Sequence, residues 1–296
     1  MIRIDRLCEE LKGIHMRLNV PMNTMTTFHI GGPAAIIAEP SSPEELLRAL
    51  CAADSLEIPC HIMGNGSNTL VSDKGYLGLI IRVGDRMAGI SCSGCKLRVG
   101  AGALLSSVAK AALSYGLMGL EWANGIPGTI GGAAAMNAGA YGGEMSQVIT
   151  EITGLKQRML TRVKPVKSDF SYRSSSFTPD EWVVSGVELT LERDDGFCAR
   201  RMAEYAVRRR ERQPLDSPSA GSIFKRPKGY YAGALIEQAG LKGARVGGAE
   251  VSQKHAGFII NKGGATCGDV LKLIELIQKR VYENSGVLLE TEVKVI

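Results

Sequence analysis

The stretch Gly125-Ile-Pro-Gly-Thr-Ile-Gly-Gly132 runs without a break into Ala133-Ala-Ala-Met-Asn-Ala-Gly-Ala-Tyr-Gly-Gly143. Glycine and alanine fill more than half of it, so little projects from its backbone to keep a neighbour away. Two situations call for that. One is a flat ligand lying on the main chain, with Thr129 and Asn137 supplying the few polar groups. The other is a helix packed closely against a strand. The run is apolar enough to be buried in either case.

A second glycine loop, Gly64-Asn-Gly-Ser-Asn68, follows an apolar run at 58–63 that reads as a strand. Glycines there permit a tight turn, and successive N–H groups can make an anion nest. The loop is not a Rossmann fingerprint, because Thr69 stands at the third glycine position and a strand follows rather than a helix. No Gly-Lys-Ser/Thr is present, so it is not a P-loop. A phosphate cradle and a loop needing glycine only for its shape weigh about equally. Two such loops in one chain favour a dinucleotide.

The flanking pattern is α+β. Residues 34–83 predict strand, helix, strand, loop, strand. Ser42-Pro-Glu-Glu45 predicts a capping box with proline at the first helical position, and Leu46, Leu47, Leu50 and Cys51 follow at helical spacing. Residues 84–195 carry β-like runs at 96–99, 149–155 and 183–192, a helix at 104–115 and the long Gly/Ala loop. A charged helix follows, with Met202, Tyr205, Ala206 and Arg209 on one face. The last segment predicts a strand at 257–260, a helix at 269–282 and an alternating strand at 287–296.

Composition bounds the rest. Thirty-six glycines in 296 residues is about 12%, against about 7% on average, with no Gly-X-Y period. Hydrophobic residues at 45% and charged residues at 22% exclude a mostly disordered chain. The net charge of +5 permits anionic partners without demanding them. Seven scattered cysteines read as reduced cytosolic thiols, and Cys92-Ser-Gly-Cys95 reads as a hairpin turn rather than a zinc or redox pair. The start, Met1-Ile-Arg-Ile-Asp-Arg, has no apolar leader, and no apolar run approaches a membrane span. A cytoplasmic location is expected. Arg208-Arg-Arg-Glu-Arg212 lacks interleaved aromatics, so a solvated helix face is favoured over nucleic-acid binding. The four histidines show no metal-ligand spacing, and no metal is expected.

Three further positions are candidates for catalysis. Arg173 lies in Ser171-Tyr-Arg-Ser-Ser-Ser-Phe177, where a surface arginine is the commoner case. Ser222 lies in Ser219-Ala-Gly-Ser-Ile-Phe-Lys-Arg-Pro227, with no nucleophile elbow around it. On the final strand Glu290 and Glu292 share a face, and spacing does not choose between them.

Six motifs in order resemble one flavoenzyme family. They are Asn23-Thr-Met-Thr-Thr-Phe-His-Ile-Gly-Gly-Pro33, Gly64–Asn68, Gly125–Ala133, Met136-Asn-Ala-Gly-Ala-Tyr-Gly-Gly-Glu144, Tyr172-Arg-Ser-Ser-Ser-Phe177 and Ala220-Gly-Ser-Ile-Phe-Lys-Arg-Pro227. The family is UDP-N-acetylenolpyruvoylglucosamine reductase, also called UDP-N-acetylmuramate dehydrogenase. The resemblance runs from about residue 20 to the end. The stretch between Phe177 and Val187 is short and resembles the branch without an inserted tyrosine segment. Trp122-Ala-Asn124 departs from the pattern, standing where a Phe and a smaller residue are expected.

The resemblance implies an FAD-binding fold of the vanillyl-alcohol-oxidase type, with two α+β subdomains and an α+β substrate domain. The expected spans are 1–77, 78–193 and 194–296, the final strand returning to the first. Non-covalent FAD would meet Gly64, Asn65, Gly66, Ser67 and Asn68 at its pyrophosphate, and Pro127, Gly128, Thr129, Gly131 and Gly132 along the flavin. NADPH would be co-substrate, and UDP-N-acetylglucosamine enolpyruvate would be reduced to UDP-N-acetylmuramate for peptidoglycan. Hydride would come from flavin N5 and a proton from Ser222. Matching positions assign Arg173, Ser222 and Glu292 as the catalytic set, choosing Glu292 over Glu290. They assign Tyr172, Lys225 and Arg226 to substrate. A monomer without nucleic-acid or membrane partners is expected. The alternatives are another flavin oxidoreductase of the same fold, acting on a hydroxy acid or alcohol, and a non-enzymatic nucleotide- or nucleic-acid-binding protein.

Overall fold

The computed structural model describes residues 2–179 and 181–296. Met1 and Asp180, which fall in the subdomains expected over 1–77 and 78–193, lie outside the described residues. The chain forms two compact units, each discontinuous in sequence. One comprises the chain up to Leu18, Ile36–Asn65 and Leu77–Val207. The other comprises Asn19–Ala35, Gly66–Tyr76 and Arg208–Ile296.

The first unit has its own core, which includes Leu46, Leu79, Ile81, Leu97, Val108, Ile152 and Leu189. Its five-stranded antiparallel sheet runs Met159–Val163, Ile149–Lys156, Trp182–Thr190, Lys96–Gly100 and Ile90–Ser93 in spatial order. The last two strands form the hairpin expected at the Cys-x-x-Cys, with Ser93 opposite Lys96 and Gly94 left-handed at φ 62°. The helix Pro43–Ser55 starts as the sequence predicts, Ser42 accepting from Glu45 N–H at 3.2 Å. The return bond differs from a capping box. Glu45 reaches past Ser42 to the Ser41 N–H at 2.7 Å, satisfying a donor one residue further out.

The Gly/Ala loop hides a helix, Ile130–Ala135. Six residues with two glycines are too few to hold a helix alone despite the three alanines, and tertiary contact stabilises it instead. Ile130 and Gly131 donate to the carbonyls of Ala103 and Ala101 at 2.8 and 2.9 Å.

The second unit packs the helix Cys267–Ser285 on a four-stranded antiparallel sheet. Sheet order is Ser219–Ser222, Phe258–Asn261, Ala249–Val251, Arg245–Val246. Val270, Leu273, Ile274, Ile277 and Val281 are the helix's buried stripe. It is longer than the periodicity alone suggests, because Thr266 and Asp269 form a capping box and Gly286 closes it at φ 68°. The expected strand at 287–296 divides between two partners. Thr291 bridges to Phe224, and only Lys294–Val295 forms a strand, parallel to Thr69–Leu70. One alternating run thus serves two neighbours, which its periodicity does not reveal.

His255 is built into this unit in its neutral form. Its ring lies edge-on to Phe258 at 4.9 Å, and its Nδ1 accepts from the Gly257 N–H at 3.0 Å. Burial pushes its pKa below the ordinary 6.5. The unfolded chain therefore takes up the proton first on acidification, so this stabilisation is present above about pH 6.5 and is lost as pH falls through the lowered value. The denaturant midpoint is expected to fall between pH 7.5 and 5.5, and to fall less in His255→Gln, which keeps an acceptor and does not titrate. An equal fall in both proteins would place the acid sensitivity elsewhere.

Candidate functional site

In the first unit the two glycine loops meet. A methyl group on Gly64 would lie 2.3 Å from Thr129 Oγ1, so only glycine permits the approach. Asn65 Nδ2 donates to the Pro127 carbonyl at 2.7 Å and ties the loops together. The Gly128 carbonyl accepts from Leu105 N–H at 2.9 Å. Thr129 caps the glycine helix, its Oγ1 accepting from Gly132 N–H at 3.4 Å. Gly131 packs on Ala101, where an added Cβ would come within 2.8 Å. Gly132 differs, since an added Cβ there would meet only Thr129 Oγ1, at 3.5 Å. Packing does not require Gly132, and its open side is where a flat ligand can lie.

Residues 66–68 of the first of these loops belong to the second unit. Gly66 is left-handed at φ 60°, and a Cβ on it would sit 2.6 Å from the Met25 carbonyl. Asn68 Nδ2 donates to the Glu292 carbonyl at 3.1 Å, and Lys294 N–H returns a bond to the Asn68 carbonyl at 3.0 Å. Both asparagine side chains of the loop thus hold backbone. The loop offers the successive backbone N–H groups of Gly64 to Asn68. Those donors, with the Ser67 hydroxyl, are the set a diphosphate requires. The residues therefore fit FAD.

Tyr172 and Arg173 form the two-residue turn of a short hairpin in the first unit, where Phe170 faces Ser175 and Ser171 faces Ser174. Arg173 is left-handed at φ 57°, unusual for a side chain of its size. Tyr172 is exposed.

Ser222 and Glu292 belong to the second unit. Ser222 ends an edge strand opposite Phe258, after left-handed Gly221 at φ 78°. Glu292 N–H donates to the Ile223 carbonyl at 2.7 Å, which brings its backbone beside the residue next to Ser222. Glu292 is half-buried, whereas Glu290 is exposed and ion-paired with Lys225. Arg226 lies over the Tyr231 ring at 3.9 Å. Lys225, Arg226, Lys228 and Tyr230 line an open cleft of about 430 Å³.

Three residues of the first unit play parts that the motifs do not disclose. Asn137 bonds to the protein's own backbone. Its Nδ2 donates to the Ser171 carbonyl at 3.1 Å, and its Oδ1 accepts from Ser146 N–H at 3.0 Å. Trp122 is buried, with Nε1 donating to the Gly119 carbonyl at 3.0 Å, and Gly143 has no Cβ because the indole fills that place, 2.1 Å away. Glu121 accepts from Arg201 at 2.7 Å. Burial raises the Glu121 pKa, but hydrogen bonds from backbone N–H groups and Arg201 outweigh it and hold the carboxyl below its usual range. Among the described residues, no helix is long and apolar enough to cross a membrane, and no three His, Cys, Asp or Glu side chains gather to hold a metal ion.

The fold and its joined glycine loops define a flavoprotein with the FAD-binding fold of the vanillyl-alcohol-oxidase type. Residues 33–156 match the FAD binding domain, and residues 213–296 match the UDP-N-acetylenolpyruvoylglucosamine reductase C-terminal domain. The chain is 48% identical over 297 aligned residues to the UDP-N-acetylenolpyruvoylglucosamine reductase of Caldanaerobacter subterraneus subsp. tengcongensis, covering 100% of this chain and 98% of the relative. It is 46% identical to that of Syntrophomonas wolfei, covering 95% of each. The crystal structure of the Thermus caldophilus enzyme superposes with a TM-score of 0.81 at 37% identity, covering 95% of this chain and 98% of that one. The chain belongs to the UDP-N-acetylenolpyruvoylglucosamine reductase family, an oxidoreductase family that uses FAD.

Gly64→Ala is expected to purify with well under half the flavin of the unchanged chain, because the new methyl group drives the Thr129 hydroxyl away. Adding Thr129→Ala should restore part of it, read as the flavin-to-protein absorbance ratio. Full flavin content in Gly64→Ala would show that the approach is not needed.

Proposed function

We propose that the protein catalyses NADPH-dependent reduction of UDP-N-acetylglucosamine enolpyruvate to UDP-N-acetylmuramate, as a cytoplasmic monomer supplying peptidoglycan synthesis. The observation that carries the reading is the near-full-length identity of 48% to a reductase of that name, together with a loop set that fits FAD. The three spans 1–77, 78–193 and 194–296 are proposed as two flavin subdomains and a substrate domain.

Bound FAD would supply a hydride equivalent, taken from NADPH, to the methylene carbon of the enol ether. The chain's own residues meet the charge and the proton that this leaves. Addition at the methylene carbon puts negative charge on the neighbouring carbon and its carboxylate. Arg173 offers a planar fork of N–H donors to that carboxylate, strongest where charge develops during the reaction. Glu292, when protonated, donates to the same group. The carbon is then a strong base, and a hydroxyl as weakly acidic as that of Ser222 suffices to protonate it if held in place. Water refills the serine proton after product leaves. Tyr172, Lys225 and Arg226 are proposed to bind the sugar nucleotide. The ion pair of Lys225 with Glu290 would have to open, or accept the diphosphate alongside, when substrate binds.

Anaerobic NADPH should bleach the flavin, and UDP-N-acetylglucosamine enolpyruvate should then restore the colour. Failure of the colour to return with that substrate overturns the assignment. Ser222→Ala should keep NADPH-driven bleaching within about twofold and lower product formation by roughly 10²–10⁴-fold, the usual worth of a positioned proton donor. Equal loss in both half-reactions would make Ser222 structural.

A further inference from the structure

Asn137 is only 3% exposed, and its backbone is left-handed at φ 44°. With Ser146 N–H on Oδ1 and the Ser171 carbonyl on Nδ2, both ends of its carboxamide are engaged and its orientation is set. Ser171 is the residue just before the Tyr172–Arg173 turn. That hairpin has only two residue pairs, too few to hold itself, and it carries Arg173 in a conformation that persists only where surroundings impose it. Its other strand is held by Ser175, whose hydroxyl donates to the Ala135 carbonyl at 2.8 Å and accepts from Phe177 N–H at 3.1 Å. Ala135 ends the glycine helix, and Asn137 follows two residues later. Both anchors of the arginine hairpin therefore stand at one end of the helix whose other end carries Thr129, Gly131 and Gly132.

We propose that Asn137 is a positioning residue for Arg173, its carboxamide setting where the arginine turn stands relative to the glycine helix. The proposal rests on the role given to Arg173 above. Ser175 fixes one strand of the hairpin to the helix, and Asn137 fixes the other. Losing the Asn137 bond takes a tie from the Ser171 strand and leaves that strand to the packing of Phe170 on Phe177, so the turn can shift about Ser175. A pivot that moves a guanidinium by about 1 Å costs on the order of 100-fold in a reaction that depends on its placement. The first half-reaction does not call on Arg173, so it is spared.

Two variants separate this role from general damage. Asn137→Asp keeps the shape and the acceptor for Ser146, but sets an oxygen against the Ser171 carbonyl. Asn137→Gly suits the left-handed backbone and removes both bonds. Each is examined as the flavin-loaded enzyme, with the half-reactions measured separately under anaerobic conditions and amide hydrogen exchange followed over 170–175. NADPH-driven bleaching is expected within about twofold of the unchanged enzyme. Reoxidation by UDP-N-acetylglucosamine enolpyruvate is expected to slow by about 10- to 100-fold, in kcat more than in KM. Exchange over 170–175 is expected to quicken by about tenfold, with the helix Ile130–Ala135 unchanged.

Reoxidation within twofold of normal, equal loss in both half-reactions, or unaltered exchange over 170–175 each overturns the proposal. If Asn137→Asp does not fold, Asn137→Gly decides by the same readings. Arg173→Ala, run alongside, keeps the two claims distinct. If it reoxidises normally, the role given to Arg173 fails. If it is slow while the Asn137 variants are normal, only the positioning role fails.

Discussion

The approach of Gly64 to Thr129 is the constraint on which the two glycine loops depend. Where a Cβ would stand 2.3 Å from the threonine hydroxyl, any other residue pushes the two loops apart. That contact and the Asn65 bond to Pro127 hold the strand-end loop against the segment that opens the glycine helix. Thr129, the residue approached, also caps that helix. The far end of the same helix carries the Ser175 and Asn137 anchors of the arginine turn. One close backbone contact is thus the first link in a chain of short bonds that reaches Arg173.

Side-chain amides recur in these links. Asn65, Asn68, Asn137 and Asn261 all donate to main-chain carbonyls. Asn261 also accepts from Gly263 and Ala265 N–H groups at 2.9 and 3.1 Å, fixing the 26–29 segment to the sheet of the second unit. A carboxamide carries a donor and an acceptor on one rigid plane, so it can substitute for a peptide unit where no strand or helix supplies one. Loops that must stay bare of bulk for a ligand need that substitute, because they lack side chains to pack. This accounts for asparagine beside glycine in both motifs.

Much of this was legible beforehand, and the exceptions have physical reasons. The strands around 60–63, 76–82 and 149–156 and the helices at 43–55 and 267–285 follow from apolar spacing and caps. The helix Ile130–Ala135 was hidden because glycine and alanine give no amphipathic stripe, and its first N–H groups are satisfied by Ala101 and Ala103, distant in sequence. The C-terminal run kept its alternation but not its single partner. Glu292 and Glu290 were equivalent by spacing. In the fold their surroundings differ, Glu292 being half-buried and Glu290 exposed and paired with Lys225, 65 positions away. Asn137 stood out as a polar group in an apolar run, which suggested a ligand contact. Its actual partners, Ser146 and Ser171, carry no motif of their own, so only the fold could name them. Trp122 likewise departed from the expected pattern, and Gly143 is what accommodates it.

The central claim is that the two glycine loops form one flavin cradle because side-chain and backbone contacts join them. The most direct test is the FAD dissociation constant of Asn65→Ala, measured by flavin fluorescence on reconstituting the apoprotein. Removing the bond to Pro127 without changing the backbone should weaken FAD binding by about 5- to 10-fold, the worth of one hydrogen bond of roughly 1 kcal/mol, while the apoprotein's melting temperature barely moves. An unchanged dissociation constant would contradict the account, since the loops would then hold the cofactor without being tied to each other.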